Sequence, residues 1–283
     1  MAIEIIRHVK EMQQHSESCR LQGKKIAFVP TMGYLHQGHM SLLSEGRKRG
    51  DELVLSIFVN PTQFAAGEDL STYPKNIQGD LAIAEKQGVN TVFLPEASEI
   101  YKKNHQTFVD LEILPNFLCG RSRPGHFRGV ATVVTKLFHI VKPHVAVFGE
   151  KDYQQLAVIR QMARDLNFDI DIVGSPTVRE QDGLAMSSRN AYLDADQRQS
   201  ALCLIKSLQN ARDLVKNGET NPEVIIRLSS EIIASYPETS IDYLAICDPV
   251  SLEAVSVIHG AVLFAMAVKV GRTRLIDNMI LEP

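Results

Sequence analysis

Residues 25–43 read KIAFVPTMGYLHQGHMSLL and contain the pattern that decides the fold. The apolar run at 25–31 is typical of a buried strand. Residues 38–49 place apolar side chains at Met40, Leu42 and Leu43, which indicates a helix. A strand that passes through a short loop into a helix is the repeating unit of α/β proteins.

Two histidines, His36 and His39, lie where this strand gives way to the helix, with Gly38 between them. A glycine-bearing loop before a helix presents backbone N–H groups and the positive end of the helix dipole, and both favour phosphate. Imidazoles can add hydrogen bonds to phosphate oxygens. The competing interpretation is a surface turn with incidental histidines, and only the rest of the chain can decide between them.

The same alternation of strands and helices continues outward from this stretch. Further strands are predicted at 52–60, 90–95, 144–150 and 168–176, and helices at 77–88, 130–141 and 152–166. Apolar strands that alternate with helices predict a parallel sheet covered on both faces. Ligands of such sheets bind at the carboxyl ends of the strands, here predicted at Pro30–Thr31, Asn60–Pro61, Phe148–Gly149 and Ser175–Pro176.

The pattern changes after about Gly183. Helices are predicted at 195–217 and 221–235, followed by strands at 241–248, 261–270 and 273–281. Helices grouped before strands indicate a separate, smaller α+β domain. We therefore predict two domains, 1–180 and 181–283.

Composition restricts the possible functions. A net charge of −3 gives no electrostatic reason to expect nucleic acid or an anionic membrane as partner. The four cysteines are widely separated, which favours free thiols over a zinc motif or a disulfide framework. No apolar segment approaches the ~20 residues of a membrane helix, and the charged N-terminus lacks a signal core. A cytoplasmic protein is expected.

Three more segments place polar groups at the predicted ligand edge. FGEKDYQQL, residues 148–156, offers Lys151 as a mobile charge for phosphate, and GLAMSSRNAYL, residues 183–193, offers Ser187, Ser188 and Arg189 as a phosphate clamp. In SIFVNPTQF, residues 56–64, the Gln63 amide could pair with a hydroxyl and a carboxylate oxygen together. Taken singly, these segments also suit a solvated helix start, a polar linker and an Asn-Pro turn.

The motifs together resemble a known family. HQGH with a serine-rich loop beyond the last strand is similar to the HIGH–KMSKS nucleotidyltransferase superfamily. More narrowly, the chain resembles the pantothenate synthetase family almost end to end, in the segments VPTMGYLHQGH, SIFVNPTQF, RPGHFRGVATVV, FGEKDYQQL, DGLAMSSRN and RLIDN.

This resemblance implies a Rossmann-like parallel-sheet domain, a smaller C-terminal α+β lid domain, and a homodimer. It implies that pantoate and ATP with Mg²⁺ form pantoyl adenylate and pyrophosphate, and that β-alanine then displaces AMP to give pantothenate. Such a route has a physical reason: a carboxylate has no good leaving group until it becomes a mixed anhydride. The charge that builds on phosphate calls for preorganised cations rather than a covalent nucleophile.

Site residues carry over motif by motif. The resemblance implies that His39, His36 and Lys151 are catalytic, with His39 as proton donor, that Gln63 and Gln155 bind pantoate, and that Gln63 also lies at the β-alanine position. The implied ATP site comprises Met32, Gly33, Tyr34, Leu35, His36, Gln37, Gly38, His39, Gly149, Glu150, Lys151, Asp152, Val178, Met186, Ser187, Ser188 and Arg189. The metal ligands are unassigned, with Asp80 as a candidate.

Three other functions remain open on the sequence. A related adenylyl or cytidylyl transferase would share the phosphate-binding groups. An aminoacyl-tRNA synthetase fragment fits less well, because the chain lacks a basic surface. A noncatalytic nucleotide sensor could use the same fold, since fold does not determine function.

Overall fold

The computed structural model describes residues 3–65 and 67–283, which form two compact units. The first unit comprises Met1–Leu111, Arg123–Glu150 and Gln155–Pro176. The second comprises Glu112–Ser122, Lys151–Gln154 and Thr177–Pro283. The domain boundary predicted between residues 180 and 181 stays a prediction.

The first unit contains a six-stranded sheet in which every neighbouring pair is parallel. Its strand order is β1-β4-β3-β2-β5-β6. The strands are β1 (Glu4–Ile6), β2 (Ile26–Thr31), β3 (Glu52–Ile57), β4 (Thr91–Phe93), β5 (Val145–Gly149) and β6 (Asp171–Ser175). From β2 the chain first moves outward through β3 and β4, and later returns to add β5 on the other side of β2.

Helices pack against both faces of this sheet. They are α1 (Val9–Leu21), α2 (Gln37–Arg49), α3 (Ile77–Lys86), α4 (Ala97–Ile100), α6 (His126–Val141) and α7 (Tyr153–Asp165). Successive residues of a strand belong to the buried cores on opposite faces of the sheet. Phe28 packs in the core with α1, α6 and α7, whereas Val29 packs in the core with α2 and α3. This two-sided burial explains why the strands read as continuous apolar runs.

The second unit combines helices with an antiparallel sheet. Helices α5 (Leu118–Ser122), α8 (Ala195–Lys216) and α9 (Pro222–Ala234) accompany β7 (Thr239–Cys247), β8 (Val262–Val270) and β9 (Thr273–Leu281). The sheet has the order β7-β8-β9, and α8 and α9 share a buried core with it. The predicted fold class, a Rossmann-like parallel sheet with a smaller C-terminal α+β domain, is confirmed.

Local features differ from the sequence prediction at several points. The first strand and helix, β1 and α1, were not predicted, because α1 buries only Met12, Ser16 and Cys19 along a charged segment. Strand β3 ends at Ile57 rather than at Asn60, since the Asn60 side chain caps a 3₁₀ turn over Pro61–Gln63.

In the part of the chain that the structure describes, no helix has the length and apolar character needed to cross a bilayer.

Candidate active site

The loop after β2 has an unusual backbone. Gly33 and Tyr34 both adopt positive φ angles, +85° and +53°. This conformation turns successive N–H groups toward one point and forms an anion-binding nest. The Asp80 carboxylate fills it, accepting hydrogen bonds from the backbone N–H of Tyr34 at 2.9 Å and of Leu35 at 2.7 Å. Asp80 is buried, and its two hydrogen bonds hold this loop in shape.

The two histidines are fixed at the start of α2. His36 is the N-cap residue, and its Nδ1 accepts a hydrogen bond from the backbone N–H of Gly38 at 3.1 Å. His39 Nδ1 accepts from the backbone N–H of His36 at 3.3 Å, and the two rings lie 4.1 Å apart between centroids. Because both Nδ1 atoms accept, each neutral ring carries its proton on Nε2. The histidines of this motif are therefore part of the helix cap and not incidental residues of a surface turn.

These histidines lie beside the point where the sheet reverses its order. Strands β2 and β5 are neighbours, although the chain leaves β2 in one direction and enters β5 on the other side. Such a switch point opens a crevice at the carboxyl ends of the strands, where ligands of open α/β sheets bind. Thr31 and Gly149 end the two strands, and a Cβ built on Gly149 meets nothing within 4 Å. Gly149 thus leaves open space at this edge.

Gln63 is held by a buried amide. Asn60 is 1% exposed, and its Nδ2 donates to the Gly129 carbonyl at 3.1 Å and to Gln63 Oε1 at 3.0 Å. Since the Gly129 carbonyl can only accept, the orientation of the Asn60 amide is fixed. Gln63 must then present Oε1 to Asn60, and its Nε2 lies 3.3 Å from Met32 Sδ. Asn60 was noted in the sequence motif but was given no role in the predicted site.

A cavity of about 180 Å³ lies next to Gln63, lined also by Phe108, Arg123, His126 and Arg128. Arg123 donates two hydrogen bonds to the Glu68 carboxylate, at 2.6 and 2.7 Å. Burial opposes ionisation of Glu68, but the Arg123 hydrogen bonds prevail and lower the pKa of that carboxyl. The Arg128 guanidinium lies 4.1 Å from the centroid of the Phe108 ring. These two arginines of the RPGHFRG segment, residues 123–129, are therefore engaged by protein groups.

Lys151 belongs to the second unit. It lies in a 3₁₀ turn over Glu150–Asp152, and its carbonyl accepts a hydrogen bond from Asn278 Nδ2 at 2.8 Å. Its side chain keeps some accessible surface, yet burial lowers the pKa of the ammonium, and Asp152 and Asp277 only partly oppose this. Asn278 and Asp277 lie in the RLIDN segment, residues 274–278, in which no single residue is predicted to belong to the site.

The serine–arginine segment is built on a hairpin rather than a loose linker. Met186 N–H donates to the Val178 carbonyl at 2.9 Å, and Arg179 pairs through a bridge with Ala185. Arg179 donates two hydrogen bonds to the Asp277 carboxylate, at 2.7 and 3.0 Å. Ser187 Oγ accepts from the backbone N–H of Arg189 at 3.2 Å and caps a short helical turn.

The predicted site residues are thus divided between the two units of the structure. In the first unit the structure brings together His36 with His39 and Gln63 with Met32, and it places Gly149 at the end of β5 and Gln155 on α7. In the second unit the pKa of the Lys151 ammonium is lowered by burial and further by repulsion from the Arg189 guanidinium, and the Met186 N–H donates to the Val178 carbonyl.

Comparison with known proteins agrees with the motifs. The sequence model of the pantoate-beta-alanine ligase family matches residues 4–280. The chain is 57% identical to the pantothenate synthetase of Desulfatibacillum aliphaticivorans, over 99% of this chain and 100% of that protein. It is 54% identical to that of Geobacter sulfurreducens, over 98% of each chain.

Solved structures give the same picture. The crystal structure of pantothenate synthetase from Thermus thermophilus has a TM-score of 0.94 at 41% identity, covering 99% of this chain and all of that one. Pantoate-beta-alanine ligase from Francisella tularensis, complexed with beta-gamma ATP and beta-alanine, has a TM-score of 0.82 at 32% identity, covering 99% and 98%. The parallel sheet, and the two histidines that cap α2 beside its switch point, define an enzyme of the Rossmann-like α/β class. Within that class, the chain belongs to the pantoate–β-alanine ligase family.

Proposed function

We propose that this protein joins pantoate to β-alanine at the expense of ATP, through a pantoyl adenylate. The observation that carries the proposal is the histidine pair that caps α2 at the switch point of the sheet, with Gln63 oriented beside Met32. The match to the ligase family supports pantoate and β-alanine as the substrates.

In the first step, a pantoate carboxylate oxygen attacks the α-phosphorus of ATP, and the bond to the bridging oxygen breaks to release pyrophosphate. His36 and His39 supply Nε2–H donors at the positive end of α2, where they stabilise charge on the phosphoryl oxygens. Lys151 and Arg189 are proposed phosphate ligands of the second unit. The remaining proposed nucleotide contacts are Met32 to Gln37, Gly38, Gly149, Glu150, Asp152, Val178 and Met186 to Ser188.

In the second step, the neutral amine of β-alanine attacks the acyl carbon, AMP leaves with the electrons of the broken acyl–oxygen bond, and the new amide nitrogen loses one proton to solvent. Gln63 and Gln155 are proposed to hold pantoate, because an amide can pair with its hydroxyl and its carboxylate together. The Gln63 amide is already oriented by Asn60, so little ordering remains to be done when pantoate binds.

Mg²⁺ is proposed to enter with ATP. Both Asp80 carboxylate oxygens already hold the loop after β2 through backbone N–H groups, a role that requires no metal. We therefore assign no protein ligand to the metal and derive no step through it. A homodimer is also proposed from family resemblance, and a cytoplasmic location from the resemblance together with the widely separated cysteines.

Isotope exchange tests the adenylate directly. With ATP, Mg²⁺ and pantoate but no β-alanine, the protein should exchange labelled pyrophosphate into ATP, and the exchange should stop when pantoate is omitted. Adding β-alanine should then release AMP and pantothenate. Exchange that ignores pantoate, or ADP in place of AMP, would refute the mechanism. A nucleotide sensor would show no exchange with any acid.

A pair of histidine variants tests the role of His39 in the same exchange reaction. His39→Ala should slow exchange by ~10²–10³-fold, the scale of losing one preorganised donor to a developing charge. His259→Ala, at an exposed position far along the chain, is the control and should exchange at the normal rate.

A further inference from the structure

We propose that His15, Cys19 and Glu52 form a zinc site at the amino-terminal edge of the parallel sheet. His15 and Cys19 are four residues apart on α1, so both side chains project from one face of the helix. Glu52 is the first residue of β3 and is 5% exposed, and Cys19 is 4% exposed. This cluster lies at the opposite end of the strands from the histidine cap and is independent of the proposed function.

The distances match those between ligands of one metal ion. His15 Nε2 lies 3.2 Å from Glu52 Oε1 and 3.5 Å from Cys19 Sγ. One ligand atom from each residue falls within 4.8 Å of both others. In a tetrahedral zinc site with bonds of about 2.0–2.3 Å, neighbouring ligand atoms are separated by about 3.3–3.7 Å. The side chains therefore need only small movements to enclose an ion.

Neighbouring groups provide the outer contacts that metal sites use. His15 Nδ1 lies 3.2 Å from the Glu4 carboxylate, an arrangement that orients a ligating imidazole with Nε2 toward the metal. Thr91 Oγ1 donates to Glu52 Oε1 at 2.8 Å and also lies 3.1 Å from His15 Nε2. Lys24 Nζ is 4.0 Å from Glu52 Oε2, so we assign Oε1, the oxygen that lies 3.2 Å from His15 Nε2, as the metal ligand.

The donor set selects the metal. One thiolate, one imidazole and one carboxylate suit Zn²⁺, whereas Mg²⁺ and Ca²⁺ prefer oxygen ligands alone. Three protein ligands leave a fourth position for water. The site crosses from α1 to β3, so an ion bound there would fasten the first helix to the sheet.

Cobalt provides a spectroscopic probe, because Co²⁺ bound to thiolate gives a charge-transfer absorption band. The full-length protein, first treated with a chelator, should bind one equivalent of Co²⁺ with this band, and Zn²⁺ should displace it. Cys19→Ser should lose the band. Cys247→Ser, which removes a buried thiol of the second unit, should keep it. Glu4→Gln should weaken Zn²⁺ binding by ~10–100-fold through the lost outer contact.

Thermal unfolding gives a measurement that does not depend on the cysteine variant folding. Zn²⁺ should raise the Tm of the unmodified protein and leave that of His15→Ala unchanged. The proposal is overturned if Co²⁺ binds without a thiolate band, if the band survives in Cys19→Ser, or if Zn²⁺ raises the Tm of both proteins equally. It is also overturned if no metal binds, in which case a protonated His15 between Glu4 and Glu52 accounts for the cluster.

Discussion

Asn278 donates a hydrogen bond from its side-chain amide to the Lys151 carbonyl at 2.8 Å, although 127 residues separate them along the chain. Asn278 follows Asp277, which is 2% exposed and holds Arg179 through two hydrogen bonds. The last strand of the second unit therefore fixes the backbone from which Lys151 extends.

The first prediction concerns this positioning contact. Asn278→Ala should free the Lys151 backbone, and the proposed phosphate ligand should then be less well placed in the transition state. We expect kcat to fall by ~10-fold or more, with a smaller change in the KM for ATP. Steady-state kinetics measure both. Asn217→Ala, at the exposed C-cap of α8, is the control. An equal loss of kcat in both variants would mean that the Asn278 hydrogen bond has no particular part in placing Lys151.

The second prediction concerns the nest after β2. Asp80→Asn replaces one accepting oxygen with an NH₂ group that faces a backbone N–H. The free energy of unfolding should fall by ~1–3 kcal/mol, and ATP binding should weaken, because the loop loses its anchor. Chemical denaturation and nucleotide titration test this. Glu85→Gln, on the exposed side of α3, should change neither the free energy of unfolding nor the ATP affinity. Unchanged ATP affinity in Asp80→Asn would show that the nest does not contribute to the nucleotide site.

The third prediction concerns the close approach of α6 to the Gln63 turn. A Cβ on Gly129 would lie 2.3 Å from the Thr62 carbonyl oxygen, so Gly129→Ala must displace this turn or the helix. We expect a destabilisation of ~1–3 kcal/mol and a KM for pantoate that rises more than the KM for ATP. Gly260→Ala, where a Cβ meets nothing within 4 Å, is the control. Equal increases in both KM values would argue against a pantoate role for Gln63.

The fourth prediction concerns pH. The Arg123 pair lowers the pKa of Glu68 below its ordinary value of 4.5, so the folded state favours the carboxylate. This contribution to stability is complete above the ordinary value and disappears as the pH falls through the lowered one. Glu68→Gln should therefore be destabilised at neutral pH, with the difference from the unmodified protein shrinking in acid. Denaturation at several pH values measures it, and Glu253→Gln should follow the unmodified protein throughout. A difference that is constant with pH would exclude the ion pair as its cause.

The sequence predicted the sheet well because its strands are buried on both faces and read as apolar runs. It did not predict β1 and α1, since a short edge strand and a sparsely apolar helix give no periodic signal. The candidate groups His36, His39 and Gln63 lie in local motifs and could be identified from type and spacing. Their supports could not: Asp80, Gly129 and Asn278 act across long stretches of chain, and such pairings leave no trace in a single sequence.

The contact between Leu35 and Asp80 also limits what can be transplanted. A graft of residues 26–49 onto another parallel sheet would carry the strand, both histidines and the helix start. It would lack Asp80, which lies 45 residues beyond Leu35. The Asp80 carboxylate holds the loop in which Gly33 and Tyr34 adopt positive φ angles. The same dependence orders events during synthesis, because the loop cannot take its final shape until α3 has been made. The minimal portable module is therefore β2 through α3.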